Sequence, residues 1–239
     1  MIKTSGIVFR NTRYKESSLI LDIFTEEAGL QSFIANGVFS KSNQRLAAAL
    51  QPMNIVEVVA YYNEQKELHR LKEVCISVMY QKIRFDIKRS AMGLFLLEVC
   101  RKTIRSHQAN SELFHFVKNA FEEIDHTDSF NPNFHLEFLV QLMSYLGFQP
   151  QNNYSSNTSC FDMVNGIFTS YKGEAVYHLS EGASKIFSEM LSGQSYIHLF
   201  QNSQQRRQML HALILYYQLH IENFGQVKSM EVFHEILGA

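Results

Sequence analysis

The stretch GIVFRNTRYKESSLILDIFTEEAGLQSFIANGVFSKSNQRLAAAL, residues 6–50, decides the fold. Within residues 19–24, LILDIF, alternate side chains give one fully apolar face and a second face interrupted only by Asp22. This pattern is typical of a strand covered on most sides, as in a small barrel. The turn EEAG follows, in which Gly29 can adopt a positive φ. A hairpin, a third strand and a long connection ending in the helix-like LAAALQ, residues 46–51, predict the start of a five-stranded oligonucleotide-binding (OB-fold) barrel.

Two more strands are predicted after this connection. Residues 55–62, IVEVVAYY, are rich in β-branched and aromatic side chains and predict a strand. Residues 68–79 predict its partner, with a bulge near residues 70–73 where the apolar spacing becomes irregular.

The spacing of apolar residues changes from a strand pattern to a helical pattern near residue 80. Apolar residues recur there at steps of three and four, which predicts helices that bury one face. The fold class is therefore α+β, with an OB-fold barrel over residues 1–80 and an all-helical domain over residues 81–239. The buried stripe predicted for the first helix comprises Ile83, Ile87, Leu94, Leu97 and Ile104.

Length and composition describe a folded, soluble protein. The chain has 239 residues, of which 46% are hydrophobic and 19% charged. It contains no apolar run long enough to cross a bilayer, and its first residues lack the apolar core of a secretory signal, so a cytoplasmic location is expected. The three cysteines are too widely spaced for a disulfide framework or a CxxC metal site.

Charge is unevenly distributed along the chain. Residues 1–90 carry thirteen basic and nine acidic side chains, a net charge of +4, whereas residues 91–239 carry nine and fourteen, a net charge of −5. A basic front half suits a protein whose front contacts phosphate.

Catalytic signatures are absent from the sequence. It contains no GxGxxG, GxxxxGK[ST], GxSxG or HExxH motif, and its histidines show no ligand spacing. We therefore expect a protein that is not an enzyme.

Three segments carry a resemblance to a known family. Residues 6–25, the Asn36-Gly37 turn and residues 45–58, RLAAALQPMNIVEV, resemble the N-terminal domain of the bacterial RecO family, and the similarity continues through the rest of the chain. The resemblance implies a non-enzymatic recombination mediator of DNA repair (RecFOR pathway) that binds single- and double-stranded DNA and anneals strands. It also implies partnership with RecR, contact with the C-terminal tail of single-stranded DNA-binding protein, help in loading RecA, and a nucleoid-associated location.

Many members of that family carry a four-cysteine zinc knuckle in the rear domain. The corresponding region, residues 149–173, contains only Cys160. Because a closed structural site needs four ligands, no zinc and no other cofactor is predicted. The region is expected to be held by packing of Tyr154, Phe161, Phe168 and Tyr171 instead.

Candidate DNA contacts lie in several separate segments. OB-fold barrels bind single strands across one face and between two loops, with cations on phosphates and aromatic rings on bases. Tyr14, Phe39, Tyr61 and Tyr62 are candidate stacking residues, although each candidate taken singly is as well explained by a solvated charge or a core aromatic. The cations proposed to contact DNA are Arg10, Arg13, Lys15, Lys41, Arg45, Arg70, Lys72, Arg84 and Lys88.

The rear domain carries two further basic clusters. The resemblance implies that this domain binds the acidic, hydrophobic tail of single-stranded DNA-binding protein, and a cation beside an apolar groove fits such a ligand. Basic residues at helix ends are equally explained by the helix dipole and by solubility. The candidates for the partner site are Arg101, Lys102, Arg105, Arg206 and Arg207.

A second function remains open from the residues. A barrel of this type can also serve as a protein-interaction adaptor that binds a protein and not DNA. The net charge of −1 for the whole chain fits this alternative.

Overall fold

The polypeptide divides into two compact units, Met1–Asp128 and Ser129–Ala239. The computed structural model describes residues 1–40, 43–170, 175–193 and 196–237. The described residues of the first unit form a barrel and three helices, the first of them short, and the second unit is mainly helical. Over the described residues, none of the helices has the length and apolarity needed to span a bilayer. The domain boundary expected near residue 80 stays a prediction.

A closed five-stranded barrel forms the front of the first unit, which confirms the predicted fold class. The strand order is β1-β2-β3-β5-β4, and β3 pairs with β5 in parallel while the other pairs are antiparallel. Residues such as Leu21, Ile23 and Val58 are fully buried in its interior. The elements are β1 (Ile2–Tyr14), β2 (Ser18–Thr25), β3 (Gly29–Ala35), a short helix α1 (Gln44–Ala49), β4 (Ile55–Tyr61) and β5 (Leu68–Ile76).

Two predicted irregularities are confirmed. The pairing of β4 with β5 shifts between Val59–Glu73 and Ala60–Leu71, so Lys72 is the extra residue of a bulge. Gly29 has a φ of +67°, and a Cβ atom there would lie 2.4 Å from the carbonyl oxygen of Gln108. Only glycine therefore fits this turn, which lets a loop of the helical part lie directly against the start of β3.

Two helices complete the first unit, α2 (Ile87–Thr103) and α3 (Ser111–His126). The ring centroids of Phe24 in β2 and Phe114 in α3 lie 5.6 Å apart, so α3 packs on the barrel. The stripe predicted for α2 is wrong for Ile87 and Leu94, which are 67% and 48% exposed. Helix α2 is buried on most of its circumference. Ile87 and Leu94 are seven residues apart and therefore lie on the same narrow strip of the helix that is exposed to solvent.

One buried carboxylate joins the barrel to these helices. Asp125, in the last turn of α3, accepts hydrogen bonds from the backbone N–H groups of Gln81, Lys82 and Ile83 at 2.8–3.0 Å. Burial alone would raise the pKa of Asp125, but these three donors outweigh it, and the pKa lies below its usual value. The segment that leaves the barrel is thereby fixed to the end of α3.

Two cations satisfy the carbonyl groups at the same helix end. The buried guanidinium of Arg89 donates to the carbonyl oxygens of Ile124 and Thr127, the latter at 2.7 Å. The Nζ atom of Lys82 donates to His126 O at 3.1 Å. Since the last carbonyls of a helix have no partner within the helix, these bonds stabilise α3 and tie it to the start of α2.

The described residues of the second unit form four α-helices, two short 3₁₀ helices and a small hairpin. Its elements are α4 (Phe134–Leu146), β6 (Cys160–Asp162), β7 (Ile167–Thr169), α5 (Glu181–Leu191), α6 (Ser203–His220) and α7 (Ser229–Leu237). Strands β6 and β7 pair in antiparallel orientation around Gly166, which has a φ of +66°.

Aromatic packing holds the hairpin in place. The ring centroid of Phe161 lies 5.0 Å from that of Phe168 and 4.7 Å from that of Phe187, and the ring of Tyr154 lies 5.5 Å from Phe168 edge-on. The predicted packing is therefore confirmed for three residues, while Tyr171 lies outside the described residues. In the described part of the chain, no three His, Cys, Asp or Glu side chains are grouped so that they could hold a metal ion.

We predict that Asp125→Asn lowers the free energy of unfolding by about 1.5–3 kcal/mol, because a charged acceptor of several buried N–H groups is lost. Since the folded-state pKa of Asp125 lies below the unfolded value, its contribution is present above the unfolded pKa of about 4 and is lost as the pH falls through the folded pKa. Urea unfolding of wild type and variant between neutral and acidic pH measures this difference. Glu123→Gln, at an exposed carboxylate of the same helix, is the matched control and should leave stability unchanged.

We predict that Phe161→Ala destabilises the second unit by about 3–5 kcal/mol, because it removes the ring in contact with both Phe168 and Phe187. Thermal unfolding checks the change, with Val164→Ala, at a 52% exposed position of the same hairpin, as the control. A metal chelator should not shift the thermal unfolding temperature of the wild-type protein. A chelator-dependent loss of stability would contradict packing as the hairpin's support.

Candidate nucleic-acid interface

One end of the barrel gathers cations and aromatic rings from two loops. The guanidinium of Arg13 lies over the ring of Phe39, 5.0 Å from its centroid, and the ammonium of Lys15 lies 5.2 Å from the ring centroid of Tyr14. The backbone N–H of Val38 donates to Ser17 O at 2.8 Å and ties the two loops together. We call Arg13, Tyr14, Lys15 and Phe39 the hairpin-end cluster.

The hairpin-end cluster is open to solvent. Tyr14 and Phe39 are 40% and 49% exposed, and Arg13 and Lys15 are exposed as well. Lys15 has a φ of 56°, a value seldom found outside glycine and asparagine, which keeps the hairpin tight. Cations held beside exposed rings can contact phosphates while the rings contact bases.

The outward surface of strands β1, β2, β3 and β5 adjoins this cluster. Register places Arg10, Asp22, Ser32 and Leu68 in one row across the strands. Paired residues share a face of the sheet, so these side chains are neighbours. The second row consists of Thr12, Ile20, Ile34, Arg70 and Tyr61. We call these two rows the outer face.

The outer face is less basic than the sequence predicts. Arg10 pairs with Asp22 at 2.8 Å from Nε to Oδ2, so its charge is locally compensated. Arg70 is exposed and stands between the partly buried Ile34 and the 53% exposed Tyr61. Within the described part of the chain no carboxylate pairs with Arg70, so the face offers a cation beside apolar and aromatic surface, an arrangement that suits bases as well as phosphates.

The remaining predicted DNA contacts lie elsewhere. Lys72 occupies the β5 bulge and pairs with Glu73 at 3.1 Å. Arg84 donates to Asn54 Oδ1, and Lys88 is exposed in the first turn of α2. Arg45 is exposed on α1, and Lys41 lies outside the described residues. The structure thus brings together Arg13 and Lys15, places Arg10 and Arg70 on the adjoining face, and leaves the others in separate positions.

The proposed partner cations form two unlike groups. Arg101, Lys102 and Arg105 follow one another at the end of α2, where Lys102 lies 3.9 Å from Glu98. Arg101 is exposed and lies seven residues after the exposed Leu94, so a cation and an apolar side chain share one line of the helix.

The second group, Arg206 and Arg207, begins α6. Arg206 is partly buried near His135 of α4, whose pKa is lowered to about 3 by burial and by the neighbouring charges of Arg206 and His234. A cation that faces the interior of its own unit has less charge to offer a ligand, whereas Arg207 is exposed.

Two sets of residues are not identified by the sequence pattern. Ile20 and Ile34 lie in β2 and β3, and register places them on the outer face. Phe85 is 83% exposed. Its signal is visible in residues 83–88, IRFDIK, where apolar and charged residues alternate outside any predicted strand.

Comparison with known proteins gives a consistent result along the whole chain. The family described as "Recombination protein O N terminal" matches residues 1–79, and "Recombination protein O C terminal" matches residues 84–231. The proteins named DNA repair protein RecO from Flavobacterium psychrophilum and Christiangramia forsetii are 34% and 32% identical, covering 98% and 100% of both chains. The protein of the same name from Phocaeicola vulgatus is 30% identical over 98% of both chains.

These matches bear out the resemblance seen in the sequence and support a role in DNA repair. Residues 1–79 coincide with the closed barrel, and residues 84–231 with the helices that follow it. The chain therefore belongs to the RecO family.

Proposed function

We propose that this protein is a non-enzymatic recombination mediator that binds single- and double-stranded DNA, anneals complementary strands and helps to load RecA onto DNA coated with single-stranded DNA-binding protein. The observation that carries this proposal is the hairpin-end cluster beside the outer face: Arg13 lies over the ring of Phe39, Lys15 near the ring of Tyr14, and Arg70 opposite Tyr61. Annealing needs charge neutralisation and accessible bases and no catalytic side chain.

Partners and location follow from family membership. RecR, the C-terminal tail of single-stranded DNA-binding protein and, indirectly, RecA are the proposed partners, and the proposed location is the cytoplasm at the nucleoid. Membrane contact and a bound cofactor form no part of the proposal.

A protein-interaction adaptor is the second candidate, because a specific observation favours it. The outer face combines the compensated Arg10–Asp22 pair with Leu68 and Tyr61, which are 42% and 53% exposed. Apolar side chains around a neutralised charge also suit a protein surface. Charge reversal separates the two candidates, because only a polyanion requires the cations.

We predict that reversing Arg13, Lys15 and Arg70 together to Glu weakens binding of single-stranded DNA by on the order of tenfold or more. Three lost phosphate contacts should also reduce the slope of log K against log salt by about 2 in magnitude. Fluorescence anisotropy over a salt series measures both quantities. The matched control reverses Lys118, Lys185 and Lys228, which changes the net charge equally but leaves the hairpin-end cluster and the outer face unaltered. If both triple variants bind as wild type does, the adaptor is favoured.

We predict that an acidic peptide ending in phenylalanine, as a probe for the partner tail, binds at the end of α2. Arg101→Glu with Leu94→Ala should weaken its binding by at least about fivefold, because both the cation and the adjacent apolar contact are removed. Calorimetric titration measures the affinity. Arg207→Glu is the control, and loss of binding in this variant alone would move the partner site to α6.

A further inference from the structure

Three large apolar side chains are exposed within nine residues around the start of α2. Met79 and Phe85, in the segment that joins β5 to α2, are 82% and 83% exposed, and Ile87, the first residue of α2, is 67% exposed. Apolar side chains exposed together are candidates for contact with a ligand or partner.

The exposure of these side chains does not come from a loosely held segment, because the segment is well anchored. The hydroxyl of Tyr80 donates to Met53 O at 2.8 Å, and the side chain of Ile83 is fully buried. Asp125 accepts the N–H groups of residues 81–83, and the N–H of Phe85 donates to Lys82 O at 2.9 Å. The ring of Phe85 is therefore presented on a turn that is anchored on both sides.

Two exposed cations, Arg84 and Lys88, flank Phe85 along the chain, and Arg84 also donates to Asn54 Oδ1. The intervening Asp86 is engaged as the cap of α2, where its carboxylate accepts the N–H groups of Lys88 at 2.8 Å and Arg89 at 3.2 Å. An anionic ligand is thus favoured at this turn.

The exposure of Phe85 distinguishes among anionic ligands. An acidic peptide binds by inserting its apolar side chains into a concave groove, whereas a ring that is 83% exposed protrudes from its surroundings. An exposed π-face with cations close to it in sequence suits the stacking of a base whose flanking phosphates contact those cations. Single-stranded nucleic acid meets this requirement, because its bases are unpaired and can turn towards the ring.

We propose that Phe85 is a stacking platform for single-stranded nucleic acid, with Arg84 and Lys88 contacting the adjoining phosphates. The inference rests on the proposed DNA-binding function and adds to it a second contact, outside the hairpin-end cluster and the outer face. Stacking is tolerant of sequence and requires unpaired bases, so Phe85 favours single strands over duplex without reading sequence.

The test uses the full-length chain with labelled oligo-dT and a labelled duplex in anisotropy titrations. Phe85→Ala should weaken oligo-dT binding by about 5- to 150-fold, the effect of losing one base stack, and should leave duplex binding within about twofold of wild type. Its salt slope should be unchanged, because no phosphate contact is lost. The fluorescence of 2-aminopurine placed in oligo-dT should be quenched on binding to wild type and to Phe85→Tyr, but not on binding to Phe85→Leu.

The Leu variant separates stacking from apolar docking. Leucine keeps an apolar side chain but has no π-face, so oligo-dT binding and quenching that survive in Phe85→Leu would overturn the proposal. Tyr145→Ala, at a 38% exposed aromatic of the second unit, is the matched control and should bind as wild type does. If wild type binds oligo-dT and Phe85→Ala binds it equally well, the platform is refuted while the DNA-binding function stands. If wild type does not bind oligo-dT at all, both fail.

Discussion

The carboxylate of Asp125 is the contact on which the first unit depends. It lies in the last turn of α3 and accepts the backbone N–H groups of the segment that leaves the barrel. Burying a carboxylate is costly unless hydrogen bonds satisfy it, and here three donors from one short stretch do so. The barrel and the helices that follow it are thereby joined by polar groups, and Arg89 and Lys82 complete the junction by donating to carbonyl oxygens at the end of α3.

This junction also determines what the turn at residues 84–87 can present. The backbone before this turn is hydrogen-bonded to Asp125, and the helix after it is capped by Asp86. These bonds hold the turn at the protein surface. Phe85 is consequently displayed and not buried. A rigid support of this kind lowers the entropy lost when a flexible strand binds, since only the ligand needs to be ordered.

Charge compensation shapes the barrel surface. Arg10 and Lys72 have carboxylate neighbours, Asp22 and Glu73, whereas Arg13 lies over the ring of Phe39. A cation held over a ring keeps its charge available to a phosphate, while an ion pair must first be broken. The hairpin-end cluster is for this reason a better candidate for phosphate contact than a count of basic residues would indicate.

Sequence predicted much of the fold and less of the site. The five-stranded barrel, the bulge at Lys72 and the turn at Gly29 followed from local periodicity and backbone chemistry, which neighbouring residues express directly. The helical stripe was wrong for Ile87 and Leu94, because α2 is covered on most sides and its period carries little information about which line stays open. The spacing of the predicted cations along the chain could not show which of them would pair with carboxylates.

The alternation in residues 19–24 and the family motifs at residues 6–25 and 45–58 determined by themselves that this chain forms a small barrel followed by helices and belongs to the RecO family. Tertiary structure alone decided that Asp125 holds the barrel exit, that Arg13 meets Phe39 and that Phe85 faces solvent. The physical reason is distance along the chain. Side-chain periodicity reports on neighbours within a few residues, whereas these features depend on contacts between residues far apart in sequence, or on the absence of such contacts around Phe85.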